Sequence, residues 1–403
     1  MPIKVVRIID RLNIGGPAKH VTWLTAGLNR TEFDSTLITG TVPPGEGDMN
    51  YFAHEAGVHP IVIPEMSREI GLRDLIVVWK VFKQFQALKP NIVHTHKAKA
   101  GAVGRMAALL YNISKTFQPS RKCRVVHTFH GHIFHGYYSP LKSRLFVQIE
   151  RTLARIATDR IITISNQQKR EITGDFGIGD PANVAVIPLG LDLDEISASR
   201  GRLRRDLGLS EDVFLLGIVG RLCEVKNHAL LLEVASLMSM SPERFRIVII
   251  GDGELRSELE RKTRELGIQD QVIFTGFRKD ATDLYADLDL VGLTSLNEGT
   301  PLTLIEAMSA GRAVIATDVG GVRDLMGEAE SSTGNISVWP HGVTVPSRDA
   351  VSFAEGTRYL FERPDVRRKM GAHARAFVNE RLSKDRLIRE IESLYRQILE
   401  DRA

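Results

Sequence analysis

Cysteine is nearly absent from this 403-residue chain: only Cys123 and Cys223 occur, far apart. That excludes a disulfide framework, fits a reducing compartment, and leaves no Cys/His spacing for a structural zinc. No charge-free stretch is long enough to span a bilayer. The N-terminus, Met1-Pro2-Ile3-Lys4-Val5-Val6-Arg7-Ile8-Ile9 followed by Asp10-Arg11, lacks the basic start, apolar core and cleavage site of a secretory signal. The expectation is a cytoplasmic protein that at most touches the inner face of a membrane. Aromatic residues are only 6% of the chain. They are not interleaved with basic residues as a stacking platform requires, so nucleic acid is not an expected partner.

Acidic residues are missing from one long stretch. None occurs between Leu75 and Ile149, where Lys80, Lys83, Lys89, Lys97, Lys99, Arg105, Lys115, Arg121, Lys122, Arg124, Lys142 and Arg144 all lie. Residues 1–190 hold 24 Lys/Arg against 14 Asp/Glu, and residues 191–403 hold 29 against 35, so the net charge of +4 conceals halves of opposite sign. Such a field favours anionic partners, a phosphorylated acceptor or an acidic lipid surface; a solvated basic face is the plain alternative.

With 43% apolar and 25% charged residues, the composition is that of a globular protein, and the length suits two domains. Short apolar runs alternate with amphipathic segments. Strands are expected at Lys4–Ile9, Thr36–Thr39, His59–Ile63, Asn91–Thr95, Arg124–Thr128, Arg160–Ile164 and Val184–Ile187, with helices at Pro17–Leu28, Arg73–Leu88, Ala98–Leu110 and Arg144–Ala157. After Pro188-Leu189-Gly190 the alternation restarts. Strands are expected at Phe214–Val219, Phe245–Ile250, Val272–Thr275, Leu290–Thr294, Ala313–Thr317 and Val343–Val345, and helices at Asn227–Met238 and Glu254–Leu266. The tail from Pro364 to Arg402 reads as helical. The expected fold class is α/β, with two Rossmann-like, doubly wound parallel-sheet domains facing a cleft, divided at residues 1–189 and 190–381.

The most informative segment is Asn297-Glu298-Gly299-Thr300-Pro301-Leu302-Thr303-Leu304-Ile305-Glu306. Pro301 suits the first turn of a helix whose buried side is Leu302, Leu304, Ile305, Ala307 and Met308. Glu298 then stands before a helix N-terminus, with Glu306 about two turns on. Carboxylates accept sugar hydroxyls, and helix N-termini attract phosphate, so the pair suits a nucleotide sugar. Either glutamate alone would read as a dipole partner or a solvated helix residue. In Gly220-Arg221-Leu222-Cys223-Glu224-Val225-Lys226-Asn227, two cations flank a turn and can converge on a departing diphosphate. Gly15-Gly16 opens a helix at Pro17, where backbone can approach a phosphate, but the full dinucleotide fingerprint is missing. Gly251-Asp252-Gly253-Glu254 reads as a tight turn with Glu254 in the first turn of a helix. Phe277, in Phe274-Thr275-Gly276-Phe277-Arg278, marks backbone able to contact a base. His130, in His127-Thr128-Phe129-His130-Gly131-His132 with His135 nearby, is expected as a neutral imidazole at a strand end. Asp287 and Asp289 read as structural.

Together these residues resemble the retaining glycosyltransferases of family four, with the two-domain GT-B architecture. The match runs over essentially the whole chain, and Glu298-x7-Glu306 and Gly220-Arg221-Leu222-x3-Lys226 are its most specific parts. The resemblance implies a donor site in 190–381, an acceptor site in 1–189, and a tail helix (382–403) that crosses back to the first domain. It implies that Arg221 and Lys226 hold the donor diphosphate with help from Gly15-Gly16, and that Glu306 binds the ribose. Glu298, with the N–H groups of Gly299, Thr300, Pro301's neighbours and Leu302, would hold the transferred sugar. His130 would contact that sugar, and Gly251 and Phe277 would border the nucleotide. Neither cofactor nor metal is expected. Asn227 departs from a frequent glycine of the family, and Thr300 replaces a common aromatic residue.

The segment Val93–Gly101, with the run from His127 to Tyr138, is similar to enzymes of bacterial capsule, exopolysaccharide and lipopolysaccharide assembly. The implied function is transfer of a hexosyl or N-acetylhexosaminyl unit from a UDP-sugar to a glycan on a polyprenyl-diphosphate carrier, beside an anionic membrane. A nucleotide-sugar 2-epimerase and a non-catalytic sugar-nucleotide sensor are the alternatives. A hydrolase is disfavoured, because no second carboxylate faces the pair across a glycosidic bond.

Overall fold

Apolar residues come in adjacent pairs in the first strand, Val5-Val6 and Ile8-Ile9, all buried. Neighbouring strand residues point to opposite faces, so both faces of this sheet must be covered, as in a parallel α/β sheet. The computed structural model describes residues 2–43, 46–66, 71, 73–130, 140–193, 196, 201–328 and 331–401. The chain divides into two units, Met1–Gly190 with Lys384–Ala403, and Leu191–Ser383.

The first unit runs β1 (Ile3–Ile9), α1 (Gly16–Gly27), β2 (Phe33–Thr39), α2 (Asn50–Glu55), β3 (Ile61–Val62), α3 (Arg73–Leu88) and β4 (Ile92–His96). It continues with α4 (Ala98–Ser114), β5 (Arg124–Thr128), α5 (Pro140–Ile156), β6 (Arg160–Thr163), α6 (Asn166–Arg170) and β7 (Val184–Val186). Among the described residues its sheet has seven strands in the order β3-β2-β1-β4-β5-β6-β7, every pair parallel.

The second unit runs α7 (Arg202–Asp206), β8 (Phe214–Val219), α8 (His228–Met238), β9 (Phe245–Ile250), α9 (Arg256–Glu265), β10 (Val272–Gly276), α10 (Ala281–Leu284) and β11 (Leu290–Leu293). Then come α11 (Leu302–Ser309), β12 (Val314–Thr317), α12 (Arg323–Met326), β13 (Ser331–Thr333), β14 (Ile336–Trp339), β15 (Gly342–Val345), α13 (Ala350–Phe361) and α14 (Pro364–Arg381). Its sheet order is β10-β9-β8-β11-β12-β15-β14-β13, parallel up to β15, with β14 and β13 antiparallel. Both units are therefore doubly wound, as the alternation of runs predicts.

The structure refines the expected elements at three points. The tail is two helices: α14 ends near Leu382, and α15 (Lys384–Glu400) belongs to the first unit. At the break, Leu191 N donates to Leu382 O (2.9 Å) and Leu191 bridges Ser383. Glu254 lies ahead of α9, whose first residue is Arg256. The hairpin of β13 and β14 has no counterpart in the sequence reading.

The tail helix completes the first core. Val6, Ile8, Val93 and Val125 face Val77, Val81 and Phe85 of α3 and Val103 and Ala107 of α4. On the other face, Val5, Ile92, Val126 and Ile162 meet Leu387, Ile391, Leu394, Tyr395 and Ile398 of α15, spaced as one helical stripe.

A buried cation fastens the same helix. Arg7 of β1 has no exposed surface. Its guanidinium bonds to Ser35 Oγ and, through Nη2, to the Tyr395 hydroxyl at 3.2 Å. Burial holds Arg7 below its ordinary value and raises the Tyr395 phenol. The same hydroxyl lies 2.7 Å from Nδ1 of His94 on β4. Tyr395→Phe keeps the ring and strands two buried polar groups, so we expect a loss of about 1–3 kcal/mol in urea unfolding with native circular dichroism. A wild-type midpoint would show that the hydroxyl does not fasten the helix.

Candidate active site

In the second unit β8 has β9 on one side and β11 on the other. This is the switch point of the sheet, where loops part at the carboxyl ends of the strands and leave room for a ligand. The loops leaving β8 and β11 are stitched together. Leu296 N donates to Val225 O at 2.8 Å. Thr294 Oγ1 donates to Lys226 O, also at 2.8 Å. At this seam Lys226 Nζ lies 2.6 Å from Glu298 Oε1, which accepts a second hydrogen bond from Ser295 Oγ at 2.6 Å. The Glu298 side chain keeps 12% of its surface and Lys226 keeps 25%, so the pair is mostly out of water yet reachable. Arg221 stands exposed at the start of the same loop.

Close backbone approach sets these loops. A Cβ on Gly251 would lie 1.9 Å from Gly220 O, and one on Gly253 would lie 2.5 Å from Leu222 O. Gly220 N donates to Ile250 O and Leu222 N to Asp252 O, each at 3.0 Å. Gly251-Asp252-Gly253 is thus the platform under the cationic loop, and Gly251 N reaches Gly276 O at 3.0 Å. Phe277 follows Gly276 and is exposed. Asn227, the N-cap of α8, has φ 48° and ψ 48°. This left-handed conformation suits glycine and is tolerated by asparagine, which accounts for the departure from the family pattern.

The glutamate loop rests on residues that the sequence reading missed. Gly320 has φ +52°, and a Cβ there would lie 1.8 Å from Glu298 O. Gly321 N donates to Gly299 O at 3.0 Å. Val319-Gly320-Gly321 directly after β12 repeats the strand-then-Gly-Gly pattern of Gly15-Gly16, and that was the available signal. Pro301 sits at the N-cap of α11 instead of inside its first turn, and Leu302 is the first helical residue. The N–H groups of that turn have no acceptor within the helix. Gly299, Thr300 and Leu302 are half-buried and Pro301 is buried.

Glu306 is the fifth residue of α11, closer to Glu298 in helical turns than the spacing suggests. Its Oε2 accepts from the hydroxyl of Tyr285 at 2.8 Å. Burial, then the Glu306 charge, raises the Tyr285 phenol well above its ordinary value, so it stays a donor. Asp287 accepts from the backbone N–H groups of Gly201 and Leu203. Asp289 accepts from Leu215 N and pairs with the buried Arg204 at 2.8 Å. Both do the structural work expected of them.

The first unit has its own switch, since β1 lies between β2 and β4. Gly15 (φ +152°) precedes α1, whose first residue is Gly16. Lys97, at the N-cap of α4, puts Nζ 3.0 Å from Asn13 Oδ1 and 3.1 Å from Asp10 Oδ1, joining the loops after β1 and β4. His130 Nε2 lies 2.9 Å from Nδ1 of His96, the last residue of β4. Burial first, then neighbouring His20 and Lys97, holds His130 well below the ordinary imidazole value, so it is neutral at pH 7. Gly131, His132, His135 and Tyr138 lie outside the described residues.

Residues 199–377 match the family described as glycosyl transferases group 1, and residues 14–195 match glycosyltransferase family 4. The chain is 30% identical to the Escherichia coli UDP-Gal:alpha-D-GlcNAc-diphosphoundecaprenol alpha-1,3-galactosyltransferase over 70% of its own length and 74% of that protein's. It is 26% identical to the putative glycosyltransferase EpsD of Bacillus subtilis over 83% of each. Among solved structures, Anabaena HepE in complex with UDP superposes with a TM-score of 0.78 at 20% identity, covering 98% of this chain and 100% of that one. That likeness places the fold among two-domain GT-B proteins.

One buried group beside the cationic loop gives a pH test. His228, first residue of α8, is 1% exposed, and neither ring nitrogen has a hydrogen-bond partner. Burial, then Lys226, lowers it to about 4. An unfolded histidine titrates near 6.5. Above that value both states are neutral and folding costs nothing here. As pH falls from about 6.5 to about 4, only the unfolded chain takes up this proton, and stability drops. His228→Leu should flatten the fall of the urea midpoint across that window; an unchanged slope would contradict the assignment.

Proposed function

This chain belongs to glycosyltransferase family four, and we propose that it is a retaining enzyme moving a hexosyl or N-acetylhexosaminyl unit from UDP to a lipid-linked, growing cell-surface glycan. The observation that carries this reading is the Lys226–Glu298–Ser295 cluster at the sheet switch, with Glu306 and Tyr285 on the neighbouring elements. Arg221 and Lys226 balance the charge that grows on the departing diphosphate. When Lys226 turns to phosphate, Glu298 is released to accept sugar hydroxyls, and Glu306, held by Tyr285, accepts the ribose. The acceptor hydroxyl attacks C1 from the face the diphosphate leaves. The breaking C1–O bond gives its electron pair to the diphosphate, which takes the hydroxyl proton. The protein cations supply the charge balance, so no divalent ion is needed for this step. The choice of UDP and a diphospholipid acceptor is supported by the activity that names the E. coli relative.

Thermal shift with UDP, GDP, ADP and their sugars tests the donor site. We expect stabilisation by a uridine ligand that survives EDTA and disappears in Arg221→Ala. Glu306→Ala should weaken donor binding about ten- to a hundredfold, the scale of a lost charged hydrogen bond. Lys226→Ala should mainly slow transfer. Wild-type turnover in both variants would sink the site assignment.

The first unit offers a face for the acceptor's membrane. Leu75, Ile76 and Trp79 of α3 and Met106, Leu110 and Ile113 of α4 are all exposed, and Phe117 beyond them is 99% exposed. Lys83 lies over the Trp79 ring at 3.8 Å. No helix among the described residues is long and apolar enough to cross a membrane. Apolar side chains edged by lysines suit an anionic bilayer surface. The protein should sediment with phosphatidylglycerol vesicles and not with phosphatidylcholine vesicles, less so in high salt, and Trp79→Ala with Leu110→Ser should release it. Equal binding to both vesicles would remove the electrostatic part of the reading.

A further inference from the structure

Three histidines from three elements meet at the switch of the first unit. His20 is on α1, His96 ends β4, and His130 follows β5. One ring nitrogen from each lies within 4.8 Å of the others. We propose that His20, His96 and His130 form a binding site for a nitrogen-seeking divalent transition metal ion such as Zn2+, with a fourth position open.

Ring geometry carries the argument. An ion bound at about 2.0–2.1 Å from an imidazole nitrogen sits about 3.2 Å from the ring centre, so tetrahedral ligation puts ring centres about 5.2 Å apart. Here the centroids are 5.6 Å apart for His20–His96, 4.8 Å for His20–His130 and 5.2 Å for His96–His130. Nitrogen–nitrogen separations in such a site are about 3.3 Å. The 2.9 Å between His96 Nδ1 and His130 Nε2 needs only a slight opening.

The nitrogens also lack other partners. Both nitrogens of His20 are buried without a hydrogen bond, while His96 Nδ1 and His130 Nε2 meet each other. An unpaired buried nitrogen is costly, and an ion would satisfy one of the two on His20. The neighbouring His94 is excluded, because its two nitrogens meet the hydroxyls of Tyr395 and Thr128. Among the described residues no carboxylate joins the three, and Arg7, Lys97 and Arg386 act on them electrostatically. That donor set selects against Mg2+ and Ca2+, which require oxygen ligands, and in favour of Zn2+, Co2+, Ni2+ or copper.

The test uses the full chain with metal alone, so its outcome is independent of sugar transfer. Co2+ titration should give the visible absorption of a tetrahedral site, saturating at one equivalent and displaced by Zn2+ but not by excess Mg2+. His20→Gln and His96→Gln should each weaken binding at least tenfold. His59→Gln, which disrupts the exposed His54–His59 contact at 3.1 Å, should leave it unchanged. Should either core variant fail to fold, X-ray absorption on the zinc-loaded wild type decides: three imidazoles at about 2.0–2.1 Å support the site, and two or fewer overturn it. Absence of saturable binding, or binding lost only in His59→Gln, overturns it.

Discussion

The second unit is organised around one ion pair. Lys226 and Glu298 come from loops that leave adjacent strands, and they meet at 2.6 Å where the sheet changes winding direction. Parallel strands put all their carboxyl ends along one edge, so any two loops at the switch are neighbours by construction. Bringing a lysine and a glutamate into contact there takes more: the backbones beneath must come closer than side chains permit. Gly251 and Gly253 let the cationic loop settle onto the turn after β9, and Gly320 and Gly321 do the same for the glutamate loop. Without those clearances the pair would be pushed apart, whatever the side chains preferred.

The first unit uses the same topology with different chemistry. At its switch stand Lys97, tied to Asn13 and Asp10, and a group of neutral histidines. Burial keeps the imidazoles uncharged, and the nearby Arg7 reinforces this for His20, His94 and His96. Arg7 in turn depends on the last helix, since its hydroxyl partner is Tyr395. A residue 388 positions away in sequence therefore belongs to the polar network behind the strand ends.

The double winding was legible because strands covered on both faces are nearly continuous apolar runs, and β5, β8 and β9 fall on their expected bounds. Charged exceptions were not legible. Arg7 interrupts an apolar strand, and nothing local reveals Ser35 and Tyr395 as its partners. The hairpin β13–β14 has only three and four residues per strand, too short for an alternation to register. Lys226, Glu298 and Glu306 were each visible as residues, since their motifs carry fixed spacing. Their contacts with one another, with Ser295 and with Tyr285 were not, because contact across a switch is a property of strand order. His20 looked like an ordinary helix residue for the same reason.

The exposure of the ion pair bears on how such a site can work. A fully buried pair is held by the cost of stranding either partner, and a fully exposed one is screened to almost nothing. Lys226 and Glu298 lie between these limits, with 25% and 12% of their side-chain surfaces open. Separating them exposes two charges that water alone would serve poorly, so separation is favoured only when each finds a new partner together. A ligand carrying both an anion and hydroxyls meets that condition; a bare phosphate satisfies the lysine and strands the glutamate, and a free sugar does the reverse. On the proposed donor reading, selectivity for a joined nucleotide sugar over its separate halves would follow from the pair itself, with the Ser295 hydrogen bond available to keep Glu298 in place while its partner changes.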